Sequence, residues 1–481
     1  MSTELIAGNF RRLHPLTMLY GIITSLPGMA FSLYLALKNP GDLLFVIIAA
    51  FYGLFSLPFV ILRWLFFQFQ ITPNAVNIHT GIIARQYRSI PIEKIQNVEI
   101  RQNFLQRILG LAQVSIETAS VDRTAEGNLQ FVGSSDAEHI RSALQSYKQG
   151  DNAPVSEEKS DIPVFGMNVC DVLIGGMMRF SPVLFAAAFS VAQYWQALSG
   201  NDAFGIFMSE IRALEGGALV LTLVGLIAGA ALFSWIGGII LSFSRFYGFT
   251  LFLRDNKLYK EHGLFARWKG TIPLRKIQML TISANPLMRT FGFARLEIQT
   301  AGFGREKSGA EIAVPMADFN RVVMLAHNAF DFSLPDTFRP LSPFAIRRAA
   351  VRYATWIILL CATAGIFLSP FFYFGLFTLP IAYFIALLHY RWRGYAMDSF
   401  GNVIARSGWL NNRISIIPTG KIQTFTIRRS FLQRRLGLAT VILDVAALAS
   451  LRDISIADIS AADAEIFTEE LSSLSKKRYK R

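Results

Sequence analysis

Apolar residues in this chain gather in long uncharged runs that alternate with polar segments. The runs cover residues 16–37, 43–62, 180–198, 218–243 and 353–390. A helix that crosses a bilayer needs about 20 apolar residues. The last run is too long for one such helix, and we divide it near Pro370 and Gly375. The pattern therefore predicts six transmembrane helices in three hairpins.

A polar segment follows each hairpin and has the composition of β-structure. Its short stretches of Ile, Val, Phe and Thr end at Gly or Asn turns, and a helical pattern follows the last strand at 137–147, 316–330 and 460–474. We expect a small antiparallel sheet or barrel, closed by one C-terminal helix. The predicted boundaries are hairpins 1–67, 164–245 and 344–392, modules 68–149, 246–332 and 393–481, and linkers 150–163 and 333–343.

The basic residues beside the membrane helices lie mostly on one side. Arg11 and Arg12 precede the first run, whereas the turn after it carries Lys38 alone. In the second hairpin, the corresponding loop sets Arg212 against three acidic residues. Loops rich in Lys and Arg stay in the cytoplasm. We therefore expect a bacterial cytoplasmic (inner) membrane protein with both termini and all three modules in the cytoplasm.

The three polar segments are copies of one unit. They align without a gap from Gly81, Gly263 and Gly408. Each copy has Pro, then Lys-Ile-Gln, then Arg and Gly at the same offsets. The shared positions are Pro91, Pro273 and Pro418, Lys94, Lys276 and Lys421, Arg107, Arg289 and Arg434, and Gly110, Gly292 and Gly437. Chance does not produce so many matches, so the chain is a triplicated unit of two spans and one module.

The motif IPxxKIQ followed by FLQRxxGLA, complete in the first copy from Ile90 and Phe104, resembles the bacterial pleckstrin-homology (PH) domain family. The paired spans and three modules are similar to the layout of membrane-embedded members of that family. The resemblance implies that each module is a seven-stranded antiparallel barrel or sandwich capped by a helix. Two copies depart from the motif, with Pro286 in the second and Thr419 in the third.

The repeated cations are candidate ligand contacts, because the resemblance implies binding of anionic headgroups or phosphates. They are Lys94, Arg107, Lys276, Arg289, Lys421 and Arg434. The alternative is structural, since residues shared by three divergent modules also define a fold. The sequence leaves both interpretations open. The second repeated glycine, as at Gly110, is expected to provide a turn with positive φ.

Positive charge increases along the modules. The first has eight basic and seven acidic residues, whereas residues 391–481 have fifteen and eight. The chain ends in candidate anionic-lipid contacts, Lys476, Lys477, Arg478, Lys480 and Arg481. Each Lys or Arg near a membrane of anionic lipids is attracted to it by about 1 kcal/mol. The alternative is a tail that is merely solvated. The basic residues lack interleaved aromatic rings, so we expect no nucleic-acid partner.

Composition excludes an ordinary soluble enzyme, because 52% of residues are hydrophobic and 17% charged, at a mean hydropathy of +0.39 and a net charge of +14. Metal-ligand spacings, nucleophile motifs and phosphate loops are missing, so we expect no catalytic residue, metal or cofactor. Gly225 and Gly229 predict close helix packing, within this chain or with a second copy or another membrane protein.

The expected function is that of a non-enzymatic scaffold at the membrane surface. Its modules would bind lipid headgroups, anionic ones above all, or protein partners, in envelope homeostasis. The alternative is a transporter for lipids or small solutes, whose modules gate or assemble the transmembrane helices. A transporter needs a polar path through the membrane, and the predicted spans carry no acidic or basic residue well inside them.

Overall fold

The structure is a computed structural model that describes residues 10–39, 41–118, 127–149, 163–179, 181, 184, 186–191, 203–214, 216–300, 310–367, 370–445 and 454–479. The helices are α1 Leu16–Lys38, α2 Leu43–Phe66, α3 Phe104–Ile108, α4 Ser134–Gln149, α5 Val169–Met177, α6 Ala203–Ala213, α7 Gly216–Phe246, α8 Pro286–Thr290, α9 Phe319–His327, α10 Phe344–Phe367, α11 Leu379–Arg391, α12 Phe431–Arg435 and α13 Ala461–Tyr479. Short 3₁₀ segments cover Ile92–Lys94, Leu274–Lys276, Pro370–Thr378 and Thr419–Lys421.

Within the described residues, five helical segments are long and apolar enough to cross a membrane. They are Leu16–Lys38, Leu43–Phe66, Val224–Phe246, Phe344–Ile366 and Phe372–Arg391. The predicted span at 180–198 falls mostly outside the described residues. The predicted break in the last apolar run is confirmed, because α10 ends at Phe367 and a 3₁₀ segment begins at Pro370.

Glycines allow the apolar helices to approach closely. A β-carbon on Gly21 of α1 would lie 2.6 Å from a methyl of Val60 in α2. Between α5 and α7, a β-carbon on Gly176 would lie 2.8 Å from the α-carbon of Ile239. One on Gly238 would overlap the carbonyl oxygen of Arg179. Small residues are common at such membrane-helix contacts because they let backbones touch.

Among the described residues, the strands form four antiparallel sheets. Their bounds are β1 Arg11–Arg12, β2 Gln68–Ile71, β3 Ala75–Thr80, β4 Gln86–Pro91, β5 Ile95–Gln102, β6 Leu111–Thr118, β7 Gly127–Gly133, β8 Phe165–Gly166, β9 Thr250–Arg254, β10 Lys257–His262, β11 Arg267–Pro273, β12 Ile277–Ala284, β13 Phe293–Thr300, β14 Ala310–Asp318, β15 Gly394–Met397, β16 Asn402–Ser407, β17 Asn412–Pro418, β18 Ile422–Arg428, β19 Leu438–Val445 and β20 Ile454–Ser460. The sheet orders are β1-β2-β3-β4, β7-β6-β5-β11-β10-β9-β8, β14-β13-β12-β17-β16-β15 and β18-β19-β20.

Two of these sheets continue from one module into the next, which the sequence does not predict. The last three strands of the first module join the first three of the second through β5 and β11. The second and third modules are joined in the same way through β12 and β17. We call these two contacts the first joint and the second joint.

The chain divides into two compact units, Met1–Thr271 and Ile272–Arg481. The division falls near the end of β11, inside the second module. The first joint therefore lies in the first unit and the second joint in the second unit.

Cores form inside the modules. In the first module, Val76 of β3, Val114 of β6 and Ile140 of α4 belong to one buried cluster. In the third, Val403 of β16 and Phe467 of α13 share another with β19. The predicted C-terminal helices are present as α4, α9 and α13. In the second module the helix begins later than predicted, because Met316 still belongs to β14.

The repeated residues occupy equivalent places in the three modules. Each repeated proline ends a strand, β4, β11 or β17, and the repeated lysine follows in a 3₁₀ turn. The FLQR segment is a five-residue helix. The glycine after it has a positive φ of 64° at Gly110, 75° at Gly292 and 64° at Gly437, so that prediction is confirmed.

Candidate functional site: an arginine-lined cavity

A cavity of about 290 Å³ lies in the second unit, between β12, the first strands of the third module and β20. Arg393, Arg406 and Arg413 line it, together with small and polar residues such as Ser407 and Ser415. None of the described residues that line it is acidic. Three lining arginines without a lining carboxylate suit the binding of an anion.

The fold delivers the three arginines from separate elements. Arg393 lies between α11 and β15, two residues after the last apolar helix ends at Arg391. Arg406 lies in β16 and Arg413 in β17, near the turn that joins these strands. β16 and β17 are paired from Asn402 with Pro418 to Ser407 with Arg413, so the two arginines lie one pair apart in the sheet.

Aromatic rings hold Arg406 in place. Its guanidinium lies 4.6 Å from the ring centre of Phe338 and 5.8 Å from that of Trp392. One amino group donates to the carbonyl of Arg391 at 3.4 Å, while its buried Nε has no hydrogen-bond partner. The side chain is therefore oriented, with donor capacity left over.

Burial disfavours the charged form of two of these groups. It lowers the pKa of Arg393 and of Arg406 below the ordinary arginine value. Asp458 partly opposes this effect at Arg393 by raising its pKa. That carboxylate is itself engaged, because Arg348 forms an ion pair with it and Gln433 donates to it at 2.8 Å. An anion inside the cavity would offset the cost of burying these cations.

The repeated cations lie elsewhere, and several of them hold the joints. Arg107 donates to the carbonyl of Leu264 across the first joint. Arg289 donates to the carbonyl of Trp409 across the second, at 2.7 Å. At that joint Lys421 also donates, to the carbonyl of Arg275 at 3.1 Å.

The other predicted site residues are dispersed. Lys94 and Arg434 are exposed, and Lys276 is half-buried. The side chains of Lys476, Lys477 and Arg478, and residues Lys480 and Arg481 as a whole, lie outside the described part of the chain. No described residue comes within 4 Å of a β-carbon built on Gly225 or Gly229. Lipid contact by the tail and packing at these glycines stay predictions.

Sequence reasoning missed the cavity because it followed what repeats. The gapless alignment places His79 and Glu261 at the position of Arg406. At the position of Arg413 it places Gln86 and Trp268. The sequence signal that could have indicated the cavity is the set of basic residues that only one of the three modules carries.

Comparisons with known proteins agree with this architecture. A family model described as Bacterial PH domain matches residues 21–148, 203–329 and 343–475. The UPF0699 transmembrane protein YdbT of Bacillus subtilis (strain 168) is 24% identical over 422 residues, which cover 84% of this chain and 84% of that protein. No solved structure matches the chain. The first and third matched ranges begin at apolar helices, α1 and α10, and the second begins at α6; each ends at or just after the helix that ends a module.

Proposed function

The chain belongs to the bacterial PH domain family and is a membrane protein, and on that premise we propose that its third module binds the phosphate of an anionic lipid headgroup. The observation that carries this proposal is the cavity with three arginines and no acidic residue among its described lining. The role is non-enzymatic: a scaffold anchored to the lipid surface, able to recruit protein partners there.

The chemistry of the cavity favours a phosphate. Arginine presents a planar fork of donors that matches phosphate geometry and is more weakly hydrated than lysine. The volume of about 290 Å³ is just below the usual range for ligand pockets, which suits a headgroup rather than a whole lipid. The ring contacts of Arg406 orient its guanidinium group before a ligand binds, which reduces the conformational entropy lost on binding.

The position of the cavity favours a lipid over a free phosphate. Arg393 follows the last apolar helix by two residues, and Arg347 and Arg352 lie near the start of α10. A cavity so close to a membrane helix is within reach of the headgroup layer. We propose that this side faces the cytoplasm and lies against a bacterial inner membrane, which the basic loops favour. The positive charge of the tail would add to the attraction to anionic lipids there.

The test uses the full-length protein in nanodiscs of phosphatidylcholine with and without phosphatidylglycerol. Native mass spectrometry after release counts retained lipids, and we expect phosphatidylglycerol to be retained on the wild type. The variant Arg393→Gln/Arg406→Gln/Arg413→Gln should lose most of it, roughly tenfold or more. Arg347→Gln, an exposed arginine of α10, is the matched control and should retain it.

Equal retention by the wild type and the triple variant would contradict the proposal. Glycerol phosphate and inorganic phosphate, added to lipid-free protein, separate the two sources of the anion. If either stabilises the protein against heat as strongly as phosphatidylglycerol does, the site serves a soluble phosphate instead of a lipid.

The transporter alternative stays a prediction that gains no support here. A second cavity of about 370 Å³ lies between α10 and the 3₁₀ segment Pro370–Thr378. Most of its lining is apolar, with Cys361 and Thr378 as the exceptions. A transport path needs polar groups at membrane depth, so this cavity does not favour one.

A further inference from the structure

The two joints use one and the same register. In the first, Arg267 of β11 lies opposite Gln102 of β5. In the second, Asn412 of β17 lies opposite Ala284 of β12. Counted from the repeat glycine, each pair joins the fourth residue of one module to the twenty-first residue of the module before it. The joint is thus a repeated feature of the fold, like the strands themselves.

A side-chain contact is repeated with it. The arginine of the FLQR segment reaches the residue directly after the next module's glycine, as Arg107 does to Leu264 and Arg289 to Trp409. At the first joint, the rings of Phe104 and Phe265 also meet edge to face at 5.6 Å. Each joint therefore combines backbone pairing with an arginine lock beside it.

Each joint is made by two kinds of strand, one equivalent to β4 and one equivalent to β18. Among the described residues, β4 itself and β18 itself lack the partner that their equivalents have at the joints. In the first module, β4 pairs with β3 alone, and in the third, β18 pairs with β19 alone. Their equivalents, β11 and β17 on one side and β5 and β12 on the other, are all paired along both edges. The two free edges are the two complementary halves of one joint.

Exposure marks both free edges. All eight residues of β12 are buried, whereas in β18 every residue from Gln423 to Arg428 is exposed. Tyr87 of β4 is 66% exposed, and Ile83 in the turn before it is fully exposed. Phe431, which follows β18, is 60% exposed. Apolar side chains are thus concentrated where a joint would cover them.

We propose that β18 of one copy pairs with β4 of a second copy of this chain, in the register of the two internal joints. Ile427 would then lie opposite Tyr87, and Phe425 opposite Ser89. Arg434 would donate to the carbonyl of Ile82 of the other copy, and Phe431 would pack on Ile83. The contact is heterologous, so copies joined by it close into a ring or extend in a row.

Positive charge on both edges opposes this contact. Arg88 lies on one edge and Arg428 on the other, and positive side chains on an edge strand oppose indiscriminate pairing. Backbone hydrogen bonds and apolar contacts hold the interface, while salt screens the repulsion. Association should therefore strengthen when the salt concentration rises.

Disulfide trapping between two differently tagged copies tests the proposal. In a background without Cys170 and Cys361, one tagged copy carries Ser89→Cys and the other Phe425→Cys, so no disulfide can form within a chain. We expect a disulfide-linked dimer that contains both tags, formed in native membranes on mild oxidation. A second in-register pair, Arg85→Cys with Arg429→Cys, should behave alike.

Register supplies the matched control. Arg85→Cys with Phe425→Cys places the two thiols four residues out of register, about 13 Å along the strands, and should not link. Equal linking of in-register and out-of-register pairs, or no linking of either in-register pair, would overturn the proposal. A chain with both Ser89→Cys and Phe425→Cys that closes on itself, with no dimer, would overturn it too.

Mass measurement of the purified full chain gives a second readout that needs no cysteine. Phe431→Asp should weaken association by roughly tenfold, because it replaces the proposed apolar contact with Ile83 by a charge. Phe400→Asp is the control, since Phe400 is equally exposed but lies in the β15–β16 turn. A wild type that is monomeric at all salt concentrations contradicts the proposal, and so does equal weakening by both variants. Neither result bears on lipid binding by the cavity.

Discussion

Arginine side chains at the joints and in the cavity differ in whether the modules repeat them. At the second joint, Arg289 donates to the carbonyl of Trp409 and lies 4.3 Å from the ring centre of Trp392. In the cavity, Arg406 likewise lies over rings and donates to a carbonyl, that of Arg391, and both arginines have a buried Nε without a hydrogen-bond partner. The first arginine is repeated in every module and the second is not. Repetition marks the architecture, and departure from it marks the site.

The largest loss of stability is expected from a substitution in the turn that precedes the second joint's strand β17. Gly408 has a φ of 83°, and a β-carbon there would overlap the carbonyl oxygen of Asn411. We expect Gly408→Ala to destabilise the protein by about 3 kcal/mol, because strain and overlap add. Thermal unfolding of the purified protein measures it. Gly53→Ala, in α2 with open space around it, should leave the unfolding temperature almost unchanged.

Acid should weaken the first joint by a smaller amount. Burial between aromatic rings, and then the positive charge of Lys260, lowers the pKa of His262 to about 3. The unfolded chain takes up the proton near pH 6.5, so the stabilisation is present above that pH and is lost as pH falls towards 3. Between pH 7 and pH 5 this amounts to about 2 kcal/mol.

The measurement compares the pH dependence of thermal unfolding of the wild type with that of His262→Gln. The ring of His262 stacks on Trp268, which lies opposite Arg101 in the first joint. The variant should be less stable at pH 7 but should show a flatter profile between pH 7 and pH 5. Parallel profiles would mean that another group causes the acid sensitivity.

Removing the arginine that bridges the second joint should lower the stability of the protein by a still smaller amount. Arg289→Gln loses one hydrogen bond and one cation–ring contact, so we expect a loss of about 1–2 kcal/mol. Arg275→Gln, an exposed arginine of the same module, is the control in the same thermal assay. A lipid-retention measurement on both variants should give the wild-type result, because neither residue lines the cavity.

The smallest stability change and the largest binding change belong to the cavity. Arg406→Gln gives up ring contacts but also the cost of a buried cation, so stability should change by less than about 1 kcal/mol. Retention of phosphatidylglycerol should nevertheless fall severalfold. If Arg406→Gln instead destabilised the protein as much as Arg289→Gln and kept its lipid, the distinction between joint and cavity would collapse.

Much of the fold follows from the sequence because it depends on local patterns. Apolar runs set the helices, and fixed offsets from Gly81, Gly263 and Gly408 set the turns. Strand pairing between modules could not be predicted. β5 and β12 have the alternating side-chain pattern of any strand, and no local sequence feature indicates which strand they pair with. The cavity depends on that pairing, since Thr281 of β12 lines it beside residues of the third module.

The repeated register of the joints also bears on how such chains grow in evolution. Every repeat has one edge strand equivalent to β4 and one equivalent to β18, and the two kinds pair with each other at a joint. Inserting a whole repeat therefore adds one joint and leaves the two terminal edge strands unchanged. Nearest-neighbour contacts of this kind make repeat arrays extensible. Homologues with two or four modules would be built by the same rule, whereas half a module could be neither added nor lost without exposing a buried strand such as β12.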